Sequence, residues 1–406
     1  MKICDITHFY TTKSGGVKTY LLNKVNYISN YTDGSIDHFL ILPSDSSHFE
    51  ENHKSRFYFI KSPEIPFCKP YRGIISKTKI SEVMEKEKPD IVEIGSPYAI
   101  PSWVKSIGNE IGYKTIGFYH ADIERTWLSV ARIGIESKRL RKLARDYIKN
   151  TYQDMDLVIT PSMYVERYLN NLGILNTQTV YLGLDSGMFN IDKIDLGFRA
   201  RYNIAKEKTI LLYVGRFSKE KRISTLLDIF NKLSMNKPDK YHLILVGGGP
   251  EEEKITRIKQ DNITILPYCN DKDKLASIYN SSDIFVSASD SETFGLCLLE
   301  AQSCGLPVVA FNKTSIPEII YCKDFLAESE DDFIQKIEIV SNILSNRLRN
   351  DIRSFAIENF SWEKTFRNLF SIYYKLYERP IGNNHYKARK RFGHKLSISM
   401  GNVSNL

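Results

Sequence analysis

The sequence contains no long hydrophobic run and no secretion pattern. No window reaches the ~18 uninterrupted apolar residues that a transmembrane helix needs. The amino terminus, MKICDITHFY, has one lysine and a short apolar run, so it lacks the two regions of a signal peptide and is predicted to form a first strand. We therefore expect a cytoplasmic protein, either soluble or peripheral on the inner face of the membrane.

Cysteine is sparse and scattered. The six cysteines include no pair with the C-x2-C spacing of a zinc site or a redox motif. We interpret them as small buried residues in a reducing compartment. Their pattern gives no support to a metal or disulfide scaffold.

Acidic residues are absent from the end of the chain. Residues 381–406 hold five basic residues and no acid, whereas the whole chain has a net charge of +8. The remainder carries only about +3 and has no known recognition module, so we do not expect nucleic acid as a partner. The basic tail is either a solvated disordered end or a contact for anionic lipid headgroups or an anionic acceptor.

The sequence does contain a regular alternation of short apolar runs and helical patterns. Strands are predicted at residues 38–43, 89–95, 113–120 and 156–162 in the first half, and at 208–216, 241–249, 262–268, 283–289 and 306–311 in the second. This alternation predicts parallel sheets that helices cover on both faces. Ligands in such sheets bind at the carboxyl ends of the strands.

We therefore predict an α/β protein in which two Rossmann-like, doubly wound domains face a central cleft. The alternation lapses at residues 184–197, which indicates a boundary there. The predicted parts are a first domain at 1–190, a second at 191–360, a helix at 361–378 that packs back toward the first domain, and a basic tail at 379–406.

Two glutamates lie in the stretch SDSETFGLCLLE, residues 289–300. Glu292 falls in the loop after a predicted strand, where a cleft residue belongs. The N–H groups near residues 294–296 open a helix and suit an anion such as phosphate. Glu292 then either accepts hydrogen bonds from hydroxyls of the same ligand or merely complements the helix N-terminus.

Glu300 is predicted on or near the apolar stripe of that helix. Burying an unpaired carboxylate costs several kcal/mol, so a partner is expected. Vicinal sugar hydroxyls would supply two donors to its two oxygens. The alternative is a side chain that reaches solvent or pairs with a lysine.

A second signal is the stretch VGRFSKEKRI, residues 214–223. Arg216 and Lys221 follow a predicted strand and can both be aimed at one diphosphate, Arg216 as a fork and Lys221 as a point charge. Taken alone, the stretch is also consistent with an ordinary basic loop.

Several motifs together carry a family resemblance. GRFSKEKRI, LVGGGPEEEKI, SETFGLCLLEAQSCGLPVVAF and FSWEKTFRNLF resemble those of the retaining glycosyltransferases of family 4, which have the GT-B fold. Upstream, GGVKTYL, FYHAD and YLGLD stand where that family has its acceptor-domain loop, active-site histidine and interdomain crossover. The resemblance covers nearly all of residues 1–378.

The resemblance implies a role for each matching residue. Arg216 and Lys221 would hold the donor diphosphate and stabilise the charge on the departing nucleotide. Glu292 would bind the transferred sugar, and Glu300 the ribose hydroxyls. Further donor contacts would come from Gly15, Gly16, Phe294, Gly295 and Leu296.

The resemblance also implies that His120 lies near the acceptor hydroxyl and the reacting carbon. A histidine after an apolar strand is otherwise often a packed core residue, and its place at a predicted strand end favours the site. The implied catalytic set is His120, Arg216, Lys221 and Glu292.

The implied reaction is a retaining transfer of a hexose from a UDP- or GDP-sugar to a hydroxyl of a lipid-linked or glycan acceptor, in cell-envelope or polysaccharide synthesis. No D-x-D cluster stands at a predicted strand end to hold magnesium beside a diphosphate. We expect metal-independent transfer without a cofactor, the nucleotide sugar being a co-substrate. One departure from the family is the segment KTS, residues 313–315, where a pair of glycines is usual.

The sequence is also compatible with other functions. The chain would be a catalytically silent binding protein if the motifs were vestigial, or a phosphorylase if a lysine held pyridoxal phosphate, although no lysine has a recognisable context for that role. The basic segment 137–150 is either a surface helix or a face that contacts an anionic membrane.

Overall fold

The structure is a computed structural model that describes residues 1–11, 15–65, 71–120, 122–130 and 138–379. The predicted basic tail, apart from Arg379, lies outside these residues. Across the described residues, no helix combines the length and apolarity required to cross a bilayer.

The first domain is built on an eight-stranded sheet. Its strands are β1 (Lys2–Ile6), β2 (Asp37–Ser44), β3 (His48–Asn52), β4 (Ser55–Lys61), β5 (Ile91–Ile94), β6 (Lys114–Phe118), β7 (Leu157–Thr160) and β8 (Thr177–Thr179). Their order is β3-β4-β2-β1-β5-β6-β7-β8, and all neighbours are parallel except β3 and β4. The helices are α1 (Gly16–Tyr31), α2 (Lys77–Glu87), α3 (Ile100–Ile111), α4 (Ile123–Val130), α5 (Lys138–Tyr152) and α6 (Met163–Asn171).

The second domain is built on a six-stranded parallel sheet. Its strands are β9 (Thr209–Arg216), β10 (Tyr241–Gly248), β11 (Ile263–Pro267), β12 (Ile284–Ser287), β13 (Val308–Phe311) and β14 (Leu326–Ala327), in the order β11-β10-β9-β12-β13-β14. Its helices are α7 (Phe198–Arg201), α8 (Ile223–Asn236), α9 (Glu252–Thr256), α10 (Lys272–Asn280), α11 (Leu296–Ser303), α12 (Ile316–Ile319), α13 (Glu330–Ile343) and α14 (Asn346–Asn359). Short 3-10 turns occur at Lys219–Lys221 and Lys323–Phe325.

These two sheets confirm the predicted doubly wound α/β fold. The central strands are buried on both faces, as their continuous apolar runs require. The β3–β4 hairpin was not predicted. Its first strand, HFEEN, is exposed at every position and has no apolar alternation, so its sequence gives no strand signal.

The carboxy-terminal helix α15 (Trp362–Tyr377) packs against α1 of the first domain. The Phe370 ring stacks on Tyr27 with 5.6 Å between centroids and 12° between planes. The Phe366 ring lies 5.6 Å from that of Tyr20. After the second domain, helix α15 thus returns to the first domain.

A buried ionic cluster joins the same two helices. Lys24 of α1 is fully buried, and its Nζ lies 2.8 Å from Asp5, 3.3 Å from Glu93 and 3.0 Å from the Tyr373 hydroxyl of α15. Burial alone would lower the pKa of Lys24, but the two carboxylates raise it, so the ammonium stays charged. The Nε2 of His38 donates to the other carboxylate oxygen of Asp5 at 2.7 Å.

Candidate active site

The carboxyl ends of both sheets face one cavity between the domains, of about 520 Å³. The lining residues of the first domain include Gly15, Gly16 and Thr19 at the start of α1. The second domain contributes the ends of β9 and β10 and the start of α11. A Cβ at Gly16 would lie 3.6 Å from the Leu296 side chain, so the first turns of α1 and α11 approach each other across the cleft.

Both helix starts suit an anion. The first N–H groups of a helix have no intrahelical partner, and the helix dipole is positive there. Gly295 precedes α11 with φ of +101°, a conformation that favours glycine. The sequence TFGL therefore makes the turn that starts this helix at the cavity.

Arg216 is the last residue of β9, and its exposed side chain lines the cavity. No ion pair is formed by Arg216 with any residue that the structure describes. Gly247 of β10 lies opposite Gly215 of β9. A Cβ at Gly247 would lie 1.9 Å from the Gly215 carbonyl oxygen, so the absence of a side chain lets the two strand ends pack closely. A guanidinium that shares a cavity with two helix N-termini has the chemistry that suits a phosphate-bearing ligand.

Glu300 lies deeper in the same cavity. Its Oε2 accepts a hydrogen bond of 3.0 Å from the Tyr279 hydroxyl, and Lys272 also lines the cavity. Burial raises the pKa of Glu300 to about 7, although Tyr279 and Lys272 favour its ionised form. The carboxyl group is therefore poised to accept hydrogen bonds from a ligand that supplies hydroxyl donors.

Lys221 and Glu292 pair with each other beside this cavity. The Lys221 Nζ lies 2.6 Å from Glu292 Oε1. Burial lowers the pKa of Lys221, but the Glu292 carboxylate outweighs that effect and raises it. The Glu292 carboxylate thus compensates the charge of Lys221 directly.

His120 follows β6 at the carboxyl edge of the first sheet. Its ring stacks on Phe118, with 3.9 Å between centroids, and lies 5.2 Å from Tyr20. Burial lowers the pKa of His120 to about 3, so the imidazole is neutral at pH 7. Its carbonyl oxygen accepts a hydrogen bond of 3.0 Å from Thr293 Oγ1, which places it next to the loop that carries Glu292.

The predicted site residues fall into two sets. Those that line the cavity are Gly15, Gly16, Arg216, Leu296 and Glu300. Those that do not line it are His120, Lys221, Glu292, Phe294 and Gly295. Phe294 is 2% exposed and its ring packs near Tyr181 and Phe360, so its side chain belongs to the core.

Other cavity residues were not predicted as site residues. Asp185, Gly247, Tyr268, Cys269, Lys272 and Cys297 also line it. The turn GGGP at 247–250 and the crossover motif YLGLD, which ends at Asp185, were visible signals in the sequence. Cys269 and Cys297 are half-buried at the cavity, whereas we had expected every cysteine to be a buried core residue; Cys68 lies outside the described residues.

The segment that departs from the family has an unusual backbone. Thr314 has φ of +58°, a region that β-branched residues rarely adopt. The next residue, Ser315, is fully buried and its Oγ lies 3.0 Å from the Glu292 carbonyl oxygen and 3.1 Å from that of Phe294. The chain thus keeps a left-handed turn here without a glycine, and the turn supports the Glu292 loop.

Comparison with known proteins agrees with this architecture. The family Glycosyltransferase Family 4 matches residues 14–187, and Glycosyl transferases group 1 matches residues 197–358. The two matches cover most of both domains. The fold and site therefore define a GT-B glycosyltransferase, and the chain belongs to glycosyltransferase family 4.

Individual proteins are more distant. The chain is 25% identical over 329 residues to the GDP-mannose-dependent alpha-(1-6)-phosphatidylinositol dimannoside mannosyltransferase of Mycobacterium tuberculosis, with 79% of this chain and 82% of the relative covered. Sucrose-phosphate synthase from Thermosynechococcus elongatus superposes with a TM-score of 0.73 at 19% identity, covering 93% and 99% of the two chains. HepE from Anabaena, solved with UDP and glucose, gives 0.66 at 17% identity, covering 92% and 99%.

Proposed function

We propose that the protein is a retaining hexosyltransferase that uses a nucleoside-diphosphate sugar and acts on a hydroxyl of a lipid-linked or glycan acceptor. The observation that carries the proposal is that Arg216 and Glu300 line the same cavity, at which two helices begin. A ligand that fills it needs negative charge at one end and hydroxyl groups at the other. A nucleoside diphosphate has both.

The donor's nucleotide part fits the lining of the cavity. Arg216 and the first turns of α1 and α11 would bind the diphosphate, and Glu300 would accept from the ribose hydroxyls. The names of similar proteins agree with such a donor, since the Mycobacterium relative uses GDP-mannose and HepE was solved with UDP. They do not choose between a uridine and a guanosine base.

Catalysis would occur between His120 and the loop of Glu292, which the hydrogen bond from Thr293 to the His120 carbonyl oxygen joins. The bond from the anomeric carbon to the diphosphate oxygen breaks, and the acceptor oxygen forms the new bond to that carbon. The departing phosphate takes the acceptor proton on the same face, so the anomeric configuration is retained. Arg216 and Lys221 would stabilise the developing negative charge.

We propose that this chemistry needs no metal ion. Positive side chains and two helix N-termini can supply the stabilisation that a divalent cation supplies elsewhere. Within the described residues, no group of three or more His, Cys, Asp or Glu side chains could hold a metal ion. The test is activity in the presence of a chelator.

A lipid-linked acceptor would bring the enzyme to the inner face of the membrane. Helix α5 has a shallow basic depression lined by Lys138, Arg141, Lys142, Arg145 and Lys149. Its Ala144 and Ile148 are buried against the domain, whereas Leu143 is 62% exposed. These cations would attract an anionic bilayer, and two of them, Arg141 and Arg145, also contact Glu124. The name of the Mycobacterium relative, a phosphatidylinositol dimannoside mannosyltransferase, supports an acceptor of this class.

The test is a donor screen with the purified protein. UDP- and GDP-hexoses are incubated with membrane lipid extracts in EDTA, and the anomeric configuration of the product is read by NMR. Transfer with retention from one donor supports the proposal, and inversion contradicts the retaining assignment. Diphosphate binding without transfer or hydrolysis of any donor would favour the silent binding protein.

A further inference from the structure

The loop that carries Glu292 is bound to the first domain as well as to its own. Asp290 Oδ1 accepts a hydrogen bond of 2.7 Å from Arg125 of α4. Thr293 donates to the His120 carbonyl oxygen at 3.0 Å, and the Thr293 carbonyl oxygen accepts from Ser162 at 2.8 Å. Both residues that flank the Ser291–Glu292 pair are therefore held from across the cleft.

A second contact lies beside the first. Glu318 of α12 in the second domain accepts hydrogen bonds from the backbone N–H groups of Met163 (2.8 Å) and Tyr164 (2.6 Å), which open α6 in the first domain. A carboxylate at a helix N-terminus satisfies free donors and complements the helix dipole. Glu318 thus caps a helix that belongs to the other domain.

The two contacts share a support. Ser315, three residues before Glu318, donates to the Glu292 carbonyl oxygen. This hydrogen bond therefore ties the segment that carries Glu318 to the loop that carries Glu292. Contacts that served only the stability of the second domain would not need partners on α4, β6 and α6.

Arg125 connects this unit to the neighbourhood of His120. Its guanidinium lies 2.7 Å from Asp290 and 3.3 Å from Asp122, and Asp122 also accepts from the Arg125 backbone N–H at the start of α4. Arg125 therefore bridges one carboxylate from each domain. Its geometry sets how far the loop of Glu292 stands from the segment that follows β6.

We propose that Arg125, Ser162 and Glu318 are positioning residues that dock the Glu292 loop on the first domain, so that Glu292 and His120 come together when the cleft is closed. The inference rests on the proposed function for its catalytic part. These contacts form a clasp between the domains, and the same contacts are lost when the domains separate. The expected effect is on turnover and, to a smaller extent, on nucleotide affinity, because the first turn of α1 in the first domain also lines the nucleotide cavity.

The chain offers a matched control for the clasp. Arg56 bridges Asp37 at 2.7 Å and Glu87 at 2.8 Å inside the first domain. The Asp37 side chain is 40% exposed and that of Asp290 is 34% exposed. Asp290→Asn and Asp37→Asn therefore remove equivalent charges, one across the cleft and one within a domain.

The experiment compares these variants by small-angle X-ray scattering with a saturating nucleoside diphosphate, by kcat for transfer, and by nucleotide affinity. We expect Asp290→Asn to raise the radius of gyration, to lower kcat about two- to fivefold, the range for a partly exposed ion pair, and to weaken nucleotide binding by no more than that factor. Glu318→Gln, which weakens two charge-assisted bonds, should lower kcat about tenfold. Asp37→Asn should match the wild type in all three measurements.

A radius of gyration and a kcat for Asp290→Asn equal to those of Asp37→Asn would overturn the clasp. The scattering measurement requires no turnover. It therefore tests the clasp even if no donor supports transfer, a result that would instead contradict the proposed function.

Discussion

Lys221 and Glu292 form an ion pair, with Nζ 2.6 Å from Oε1, at the carboxyl edge of the second sheet. Glu292 is 8% exposed, so its charge is compensated by this contact rather than by water. A bound phosphate would compete with Glu292 for the ammonium group. The pair therefore links the occupancy of the diphosphate site to the position of the carboxylate next to the sugar.

This arrangement predicts a division of roles between the two glutamates. Glu292→Gln should lower turnover about a hundredfold, because it removes a charge near the reacting carbon, and should not weaken nucleoside diphosphate binding, because it removes the group that competes with phosphate for Lys221. Glu300→Gln should weaken nucleoside diphosphate binding about tenfold by weakening the hydrogen bonds to the ribose. Steady-state kinetics and calorimetry on both variants check this. Equal losses of binding in the two variants would contradict it.

Nucleotide binding should depend on pH through Glu300. Because burial raises its pKa to about 7, the carboxylate that accepts from the ribose forms as the pH rises through 7. Affinity for a nucleoside diphosphate should rise about tenfold from pH 6 to pH 8, and Glu300→Gln should lose the part of this rise that Glu300 causes.

The effect of Glu300 on the stability of the unliganded protein has the opposite sign. The folded state holds a proton that the unfolded chain releases, so this group's contribution to stability is lost as the pH rises from about 4.5 through 7.

Thr314 should be a site where glycine stabilises the protein. Its φ of +58° is costly for a β-branched residue, and glycine has no such cost. We expect Thr314→Gly to raise the free energy of unfolding by about 0.5 to 1 kcal/mol after the added entropy of the unfolded chain is subtracted. Thr314→Ala keeps a Cβ and should gain less. Chemical denaturation measures both, and a loss of stability in Thr314→Gly would contradict the strain.

The ionic cluster at Lys24 should be sensitive to the loss of one partner. Lys24→Met would leave Asp5 and Glu93 buried without their cation, and we expect a loss of about 3 to 5 kcal/mol in unfolding free energy. Lys79→Met, at an exposed position on α2, should change it by less than about 0.5 kcal/mol. Similar losses in the two variants would show that the cluster does not hold α15 on the first domain.

Much of the site follows from local sequence rules. Arg216 was placed in the cleft because it follows a predicted parallel strand, and Leu296 because it opens a helix and matches the family motif. Glu300 was expected to need a partner because a buried carboxylate without one is costly, and the structure supplies Tyr279 together with an open face toward the cavity. These predictions rest on patterns among residues that are only a few positions apart in the sequence.

The remainder depends on contacts between distant segments. The hydrogen bond from Tyr164 to Glu318 joins residues 154 positions apart, and no local pattern indicates it. The same applies to Lys221, whose sequence suggests a free cation but whose partner Glu292 lies 71 positions away. The exposed hairpin strand β3 was missed because propensity and apolar alternation are both weak there.

The central claim is that Arg216 binds a diphosphate in the cavity without a metal ion. The most direct measurement is calorimetric titration with UDP, GDP and ADP in EDTA, on the wild type, Arg216→Ala and Lys219→Ala. Lys219 is an exposed cation in the turn after β9 that does not line the cavity, so it controls for the loss of charge alone. We predict micromolar binding of one diphosphate by the wild type and Lys219→Ala, and its loss in Arg216→Ala. Binding that survives in Arg216→Ala, or that appears in the wild type only when a divalent metal is added, would contradict the account.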